Sequence, residues 1–114
     1  MSQKKEIEER QEQLAEEIRR VKLPRGRQVF GLVDQLLGGT RMRVKCFDGK
    51  LRICRIPGRF KRFLWVRAGD TILVEPWELS GDKRGDVLFK YSRSQLQYLR
   101  NKGLLKDMQV FEEF

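Results

Sequence analysis

"RMRVKCFDGKLRICRI", residues 41–56, is the stretch on which the reading of this chain turns. Apolar and basic residues alternate on both sides of Asp48-Gly49, and Asp-Gly between two alternating runs signals a β-hairpin. A two-residue turn there sets Phe47 opposite Lys50, Cys46 opposite Leu51, Lys45 opposite Arg52, Val44 opposite Ile53 and Arg43 opposite Cys54. Opposed side chains share a face, and successive ones alternate. One face then carries Met42, Val44, Cys46, Leu51 and Ile53, which is a core. The other carries Arg41, Arg43, Lys45, Phe47, Lys50, Arg52 and Cys54. In this register the two cysteines fall on opposite faces, so no internal disulfide is expected.

Lining up like charges does nothing for folding. A Lys45/Arg52 pair would cost a sheet about a few tenths of a kcal/mol. An ordinary solvated face mixes Glu among its Lys and Arg, and this one holds none, so a polyanion is the expected partner. The segment that follows, "PGRFKRFLWVRAGD" (57–70), extends the pattern. With Arg55 it sets Arg59, Lys61, Arg62 and Arg67 among Phe60, Phe63 and Trp65. Phosphate contacts combined with base stacking are how single-stranded nucleic acid is commonly held. Phe60 and Phe63, at i and i+3, are also suited to plugging an open end of a barrel, and Trp65 suits core and base contact equally.

The charge is concentrated in this region. The 114 residues carry a net charge of +9. Residues 41–67 alone hold ten basic residues and one acid, Asp48, which accounts for the whole excess. Such a block marks a binding face rather than general solubility.

Outside the hairpin the periodicity completes a small β domain. "QVFGLVDQLL" (28–37) reads as a first strand closed by Gly38-Gly39, "DTILVEPW" (70–77) as a fourth, and "DVLFKY" (86–91) as a fifth after the polar loop "SGDKRG". Five short strands with their longest interruption after the third make a mainly β protein, a five-stranded OB-fold barrel, with an SH3-like barrel as the competitor. Ser92 and Gln95 form a capping-box start for a helix running to about Lys102, with Gly103 suited to its C-terminal end. Residues 4–21 read as a helix rich in Glu, Gln, Lys and Arg with a thin stripe of Ile7, Leu14, Ile18 and Val21, either a marginal extension or a docking element. Leu23-Pro24 ends it. The expected organisation is a helix-prone N-terminal extension (1–23), an OB-fold RNA-binding domain (24–91), and a C-terminal helix and short tail (92–114).

Composition excludes much else. At 39% apolar residues the chain can fill one small core. No run nears the roughly 18 apolar residues of a membrane span, and "MSQKKEIEER" lacks the apolar stretch of a signal peptide, so a cytoplasmic location is expected. There is no histidine and there are only two cysteines. That removes the commonest general base, the histidine-based nucleophile pairs and the usual zinc ligands. No catalytic residue, metal site or cofactor is expected. A small basic nuclease would need acids near the basic cluster, where only Asp48 stands, committed to a turn.

The run "CFDGKLRICRIPGRFKRFLWVRAGDTILVEPWE", the "GDVLFKY" strand and the helix after it resemble the translation initiation factor 1A family of archaea and eukaryotes, the counterpart of bacterial initiation factor 1. The resemblance runs from about residue 24 to 105. Its most specific series is Cys46-Phe47-Asp48-Gly49, Arg52, Gly58, the basic connector and Trp65. It implies an OB-fold that binds rRNA in the decoding A site of the small ribosomal subunit. It also implies help with initiator tRNA loading, start-codon selection and subunit joining, in cooperation with an initiation-factor GTPase. RNA contact carries over onto Arg41, Arg52, Arg59, Lys61, Arg62 and Trp65. The mixed-charge residues 1–20 and the absence of a long acidic C-terminal tail depart from the eukaryotic pattern and favour an archaeal protein. Phe63 stands where the eukaryotic connector has a basic residue. The ending "VFEEF" is a candidate docking segment for the GTPase through Val110, Phe111 and Phe114.

A monomer is expected. The competing reading, a strand-binding chaperone of cold-shock type, calls for several aromatics on the second and third strands, where only Phe47 is found. If about six basic groups meet phosphates, log K against log salt should slope at about −4 to −5.

Overall fold

The computed structural model describes residues 2–60 and 64–105. The described part of 22–91 forms one compact unit, and that of 1–21 together with 92–114 forms another.

In the first unit, five strands close into a barrel in the order β1-β2-β3-β5-β4: β1 (Val29–Gly38), β2 (Arg41–Cys46), β3 (Leu51–Arg55), β4 (Thr71–Pro76) and β5 (Arg84–Lys90). β3 and β5 run parallel while every other pair is antiparallel, which is the strand order of the OB-fold. β1 reaches both neighbours because it is long and bends. Its pairing with β2 slips between Val33 and Gln35 and again between Leu36 and Gly38, while its first half pairs with β4. Gly31 is required at the closest approach, since a Cβ there would sit 2.5 Å from the Val44 side chain.

The core comprises Val33, Met42, Val44, Cys46, Cys54, Ile72, Val74 and Val87. Each such aliphatic side chain contributes about 1.5–3 kcal/mol when fully buried. From the connector, Leu64 and Val66 pack against it, together with Val29 and Ile56. Phe60 ends a short 3-10 turn, Gly58–Phe60, and is half-buried. Phe63 lies outside the described residues.

The hairpin register differs from the sequence expectation by one residue. The loop has three residues, Phe47-Asp48-Gly49: the Cys46 N–H donates to the Lys50 carbonyl at 2.9 Å and the Gly49 N–H to the Cys46 carbonyl at 3.0 Å. Gly49 adopts φ +86°, the left-handed residue that a three-residue hairpin loop needs. Val44 therefore faces Arg52, Met42 faces Cys54, Arg43 faces Ile53, Lys45 faces Leu51 and Arg41 faces Arg55. A one-residue slip exchanges the two faces of a strand. Arg52 and Cys54 consequently turn inward, and Leu51 and Ile53 outward. The two cysteines share the core as free thiols, correcting the opposite-face expectation. Hydrogen bonding to Cys46, then burial, pushes the Cys54 thiol well up, so it stays protonated.

In the second unit, α1 (Ser2–Arg19) and α2 (Arg93–Asn101) pack together. Ser92 caps α2 as expected. Its side chain accepts from the Gln95 N–H at 3.3 Å, and its own N–H donates to Gln95 Oε1 at 2.9 Å. The same Gln95 amide donates to the Glu17 carbonyl of α1 at 2.9 Å. At the other end Gly103, at φ +74°, closes a Schellman motif, with Leu104 N–H on Leu99 O and Gly103 N–H on Arg100 O.

Candidate nucleic-acid interface

The outer face of β2 and β3 carries Arg41, Arg43 and Lys45 on one strand and Leu51, Ile53 and Arg55 on the other. It is basic, as expected, but its balance is set by acids from elsewhere in the fold. Asp34 sits at the first slip of β1, where a bulge re-aims a side chain. It accepts from Arg43 Nε at 2.9 Å and lies 3.6 Å from Lys45 Nζ. Lys50 pairs with Asp82 at 2.6 Å, and Arg55 with Asp86 at 3.2 Å. Solvated pairs like these contribute little stability, typically ~0–1 kcal/mol. Their main effect is to hold the cations in place. Arg41 makes no ion pair with a described residue and stands directly opposite Arg55.

Arg52 is not part of this face. Its side chain is 3% exposed and its guanidinium binds the Asp48 carboxylate through two bonds of 2.9 and 2.8 Å. Nε donates to the Gly81 carbonyl. Arg52 thus ties the hairpin loop to the loop before β5. Burial raises the Asp48 carboxyl, but the bonds from Arg52 and the Lys50 N–H outweigh it and hold the group below the usual carboxylate range. The physical reason for the correction is the three-residue loop, which turns position 52 inward.

Phe47 also differs from expectation. Its ring lies 5.8 Å from that of Phe30, which in turn is 5.4 Å from Tyr91. Its N–H donates to the Phe30 carbonyl at 2.9 Å. The ring is half-buried in an aromatic cluster rather than standing clear among the cations. Burial in the same cluster pushes the Tyr91 hydroxyl up, and that hydroxyl donates to the Lys22 carbonyl.

The connector supplies what the hairpin lacks. Trp65 is 78% exposed, which resolves the even choice between core and surface in favour of the surface. Lys90 Nζ donates to the Trp65 carbonyl at 3.0 Å and anchors the backbone beneath the ring. Arg59 is exposed, its guanidinium 4.7 Å from the centre of the Phe60 ring. Arg67 is exposed, and its N–H donates to Asp70 at 2.8 Å. Lys61, Arg62, Val110, Phe111 and Phe114 lie outside the described residues.

Sequence reasoning missed the acid partners and two residues beside Arg55. Trp77 lies under the Arg55 guanidinium at 4.9 Å and donates to Asp86 at 2.9 Å; Arg84 opens β5. Only strand order brings them to β3, and a parallel β3–β5 pairing leaves no local sequence signal.

Fold and surface together define the class, the oligonucleotide-binding barrels. A family model described as translation initiation factor 1A / IF-1 matches residues 18–113. The chain is 49% identical over 88 residues to translation initiation factor 1A of Pyrococcus abyssi, covering 77% of this chain and 78% of that protein. It is 41% identical over 91 residues to the Methanothermobacter thermautotrophicus factor of that name, covering 80% of this chain and 92% of that one. A solved structure of the bacterial translation initiation factor 1 from the Wolbachia endosymbiont of Brugia malayi superposes with a TM-score of 0.48 at 26% identity, covering 63% of this chain and 85% of that one. The chain belongs to the translation initiation factor 1A family, whose members are non-catalytic RNA-binding factors. The family implies interaction with the small ribosomal subunit. Among the described residues, no helix is long and apolar enough to cross a membrane.

Proposed function

We propose that the chain binds rRNA at the decoding A site of the small ribosomal subunit, in the cytoplasm and as a monomer. There it assists initiator tRNA loading, start-codon selection and subunit joining with an initiation-factor GTPase. The observation that carries the reading is the set of cations on β2 and β3, with Arg59 and Arg67 exposed in the connector and, among the described residues, one bare indole, Trp65, beside them. Charge held in place by Asp34 and Asp86 suits a folded RNA backbone. A protein that threads a strand stacks successive bases, which takes more than one exposed ring. Contact is assigned to Arg41, Arg43, Lys45, Lys50, Arg55, Arg59, Lys61, Arg62, Trp65 and Arg67. Arg52 and Phe47 support it from below. Val110, Phe111 and Phe114 are proposed to dock on the GTPase, and deletion of residues 109–114 should then abolish GTPase binding while leaving subunit binding intact.

The test is binding of labelled chain to archaeal small ribosomal subunits against unstructured single-stranded RNA. Saturable one-to-one binding that the competitor barely disturbs supports the proposal. Loss to any single strand would move the function to a strand-binding chaperone.

A further inference from the structure

We infer that a groove at the far end of β2 and β3 from the hairpin loop is a second seat for an RNA backbone phosphate, framed by Arg41, Arg55 and Arg84. It rests on the proposed RNA-binding reading and extends the face to a residue, Arg84, that the hairpin and connector do not contain. The groove has a volume of about 360 Å³; these three arginines line it with Thr40 and Trp77, over a floor that includes Ile53 and Cys54. Arg41 and Arg55 are directly opposed on neighbouring strands; Asp86 offsets Arg55 through its Nε, and Arg41 is left without an ion pair among the described residues. Arg84 pairs with Ile53 across the parallel β3–β5 ladder, which brings a third guanidinium to the same mouth.

The groove is built rather than incidental. The Trp77 N–H donates to the Arg84 carbonyl at 3.1 Å, and the indole N–H donates to Asp86 Oδ1 at 2.9 Å, the oxygen that also accepts from Arg55 Nε. Trp77 and Arg55 line both this groove and a neighbouring depression, whose other lining residues include Arg27 and the acids Glu75, Glu78 and Asp86. In the groove itself, neither Arg41 nor Arg84 makes an ion pair with a described residue. Three planar forks and a hydroxyl around one mouth are donors matched to a phosphate. A backbone phosphodiester is favoured because two of the forks also belong to the proposed RNA face.

The test is the salt dependence of binding to archaeal small subunits for the full chain and for Arg84→Gln and Arg84→Lys. Thermal unfolding is measured alongside to verify that each variant folds. The expected result is that Arg84→Gln weakens binding several-fold and reduces the slope of log K against log salt by about one, while Arg84→Lys keeps the slope. An unchanged slope in Arg84→Gln, or a lost slope that lysine does not restore, would overturn the phosphate seat while leaving the ribosome reading standing. Failure of the unaltered chain to bind subunits would overturn both.

Discussion

Arg52 ties the hairpin loop to the loop before β5 through Asp48 and Gly81. By composition it is one more cation in a basic hairpin; in the fold it is a buried strut with a bidentate hold on Asp48 and a bond to Gly81. Removing it leaves Asp48 short of its partner and the Gly81 carbonyl unpaired. Arg52→Ala should therefore destabilise the chain by about 2–4 kcal/mol in chemical denaturation, the upper end muted because Asp48 is partly solvated. A cost under about 0.5 kcal/mol, the range of a plain surface change, would contradict the placement. The partner makes a pH prediction. Asp48 has a folded pKa below its unfolded value of about 3.9, so the unfolded chain binds the extra proton. Its contribution is present above about pH 4 and is lost as pH falls through the lower folded value. Stability curves between about pH 5 and 2.5 should fall more steeply for the unaltered chain than for Asp48→Asn.

At the scale of elements, the hairpin shows where sequence is legible and where it is not. The alternation of apolar and basic residues places β2 and β3 nearly to the residue, and Asp48-Gly49 locates the turn between them. What alternation cannot specify is loop length. A three-residue loop and a two-residue loop use the same Asp-Gly, and they differ only in which residue of β3 faces the core. Both options suit the sequence because β3 alternates Leu51, Ile53 against Arg52, Cys54, and an arginine is the less expected core occupant. Only a carboxylate that takes both ends of its guanidinium, as Asp48 does, makes it tolerable. Helix α2 is the opposite case. Ser92, Gln95 and Gly103 each carry a local mechanism, and each acts as its chemistry dictates. Ser92→Ala should cost about 1 kcal/mol, read as a lowered thermal midpoint. Gln95→Ala should cost more, because it also breaks the bond to α1 at Glu17.

For the molecule as a whole, the net charge of +9 predicts a polyanion face, and the family confirms an RNA-binding factor. The fine structure of that face is out of reach of the sequence, because Asp82 and Asp86 come from far along the chain and Asp34 reaches Arg43 and Lys45 only through the register shift in β1. They make the cations unequal. Arg41, without an ion pair among described residues, should lose RNA affinity on Arg41→Glu without loss of stability. Arg43→Glu should lose both, since it sets a carboxylate against Asp34. Trp65, 78% exposed, should be replaceable by Ala at little cost in thermal stability but at a clear cost in subunit binding. These contrasts separate a recognition surface from a merely soluble one.

The most direct test of the central claim is a chemical-protection footprint on the small-subunit rRNA, with the unaltered chain and with an Arg59→Glu/Trp65→Ala double variant. The expected result is protection of decoding-site nucleotides by the unaltered chain and loss of that protection in the variant at equal concentration. Saturating binding of the unaltered chain with the decoding site as reactive as in free subunits would contradict it.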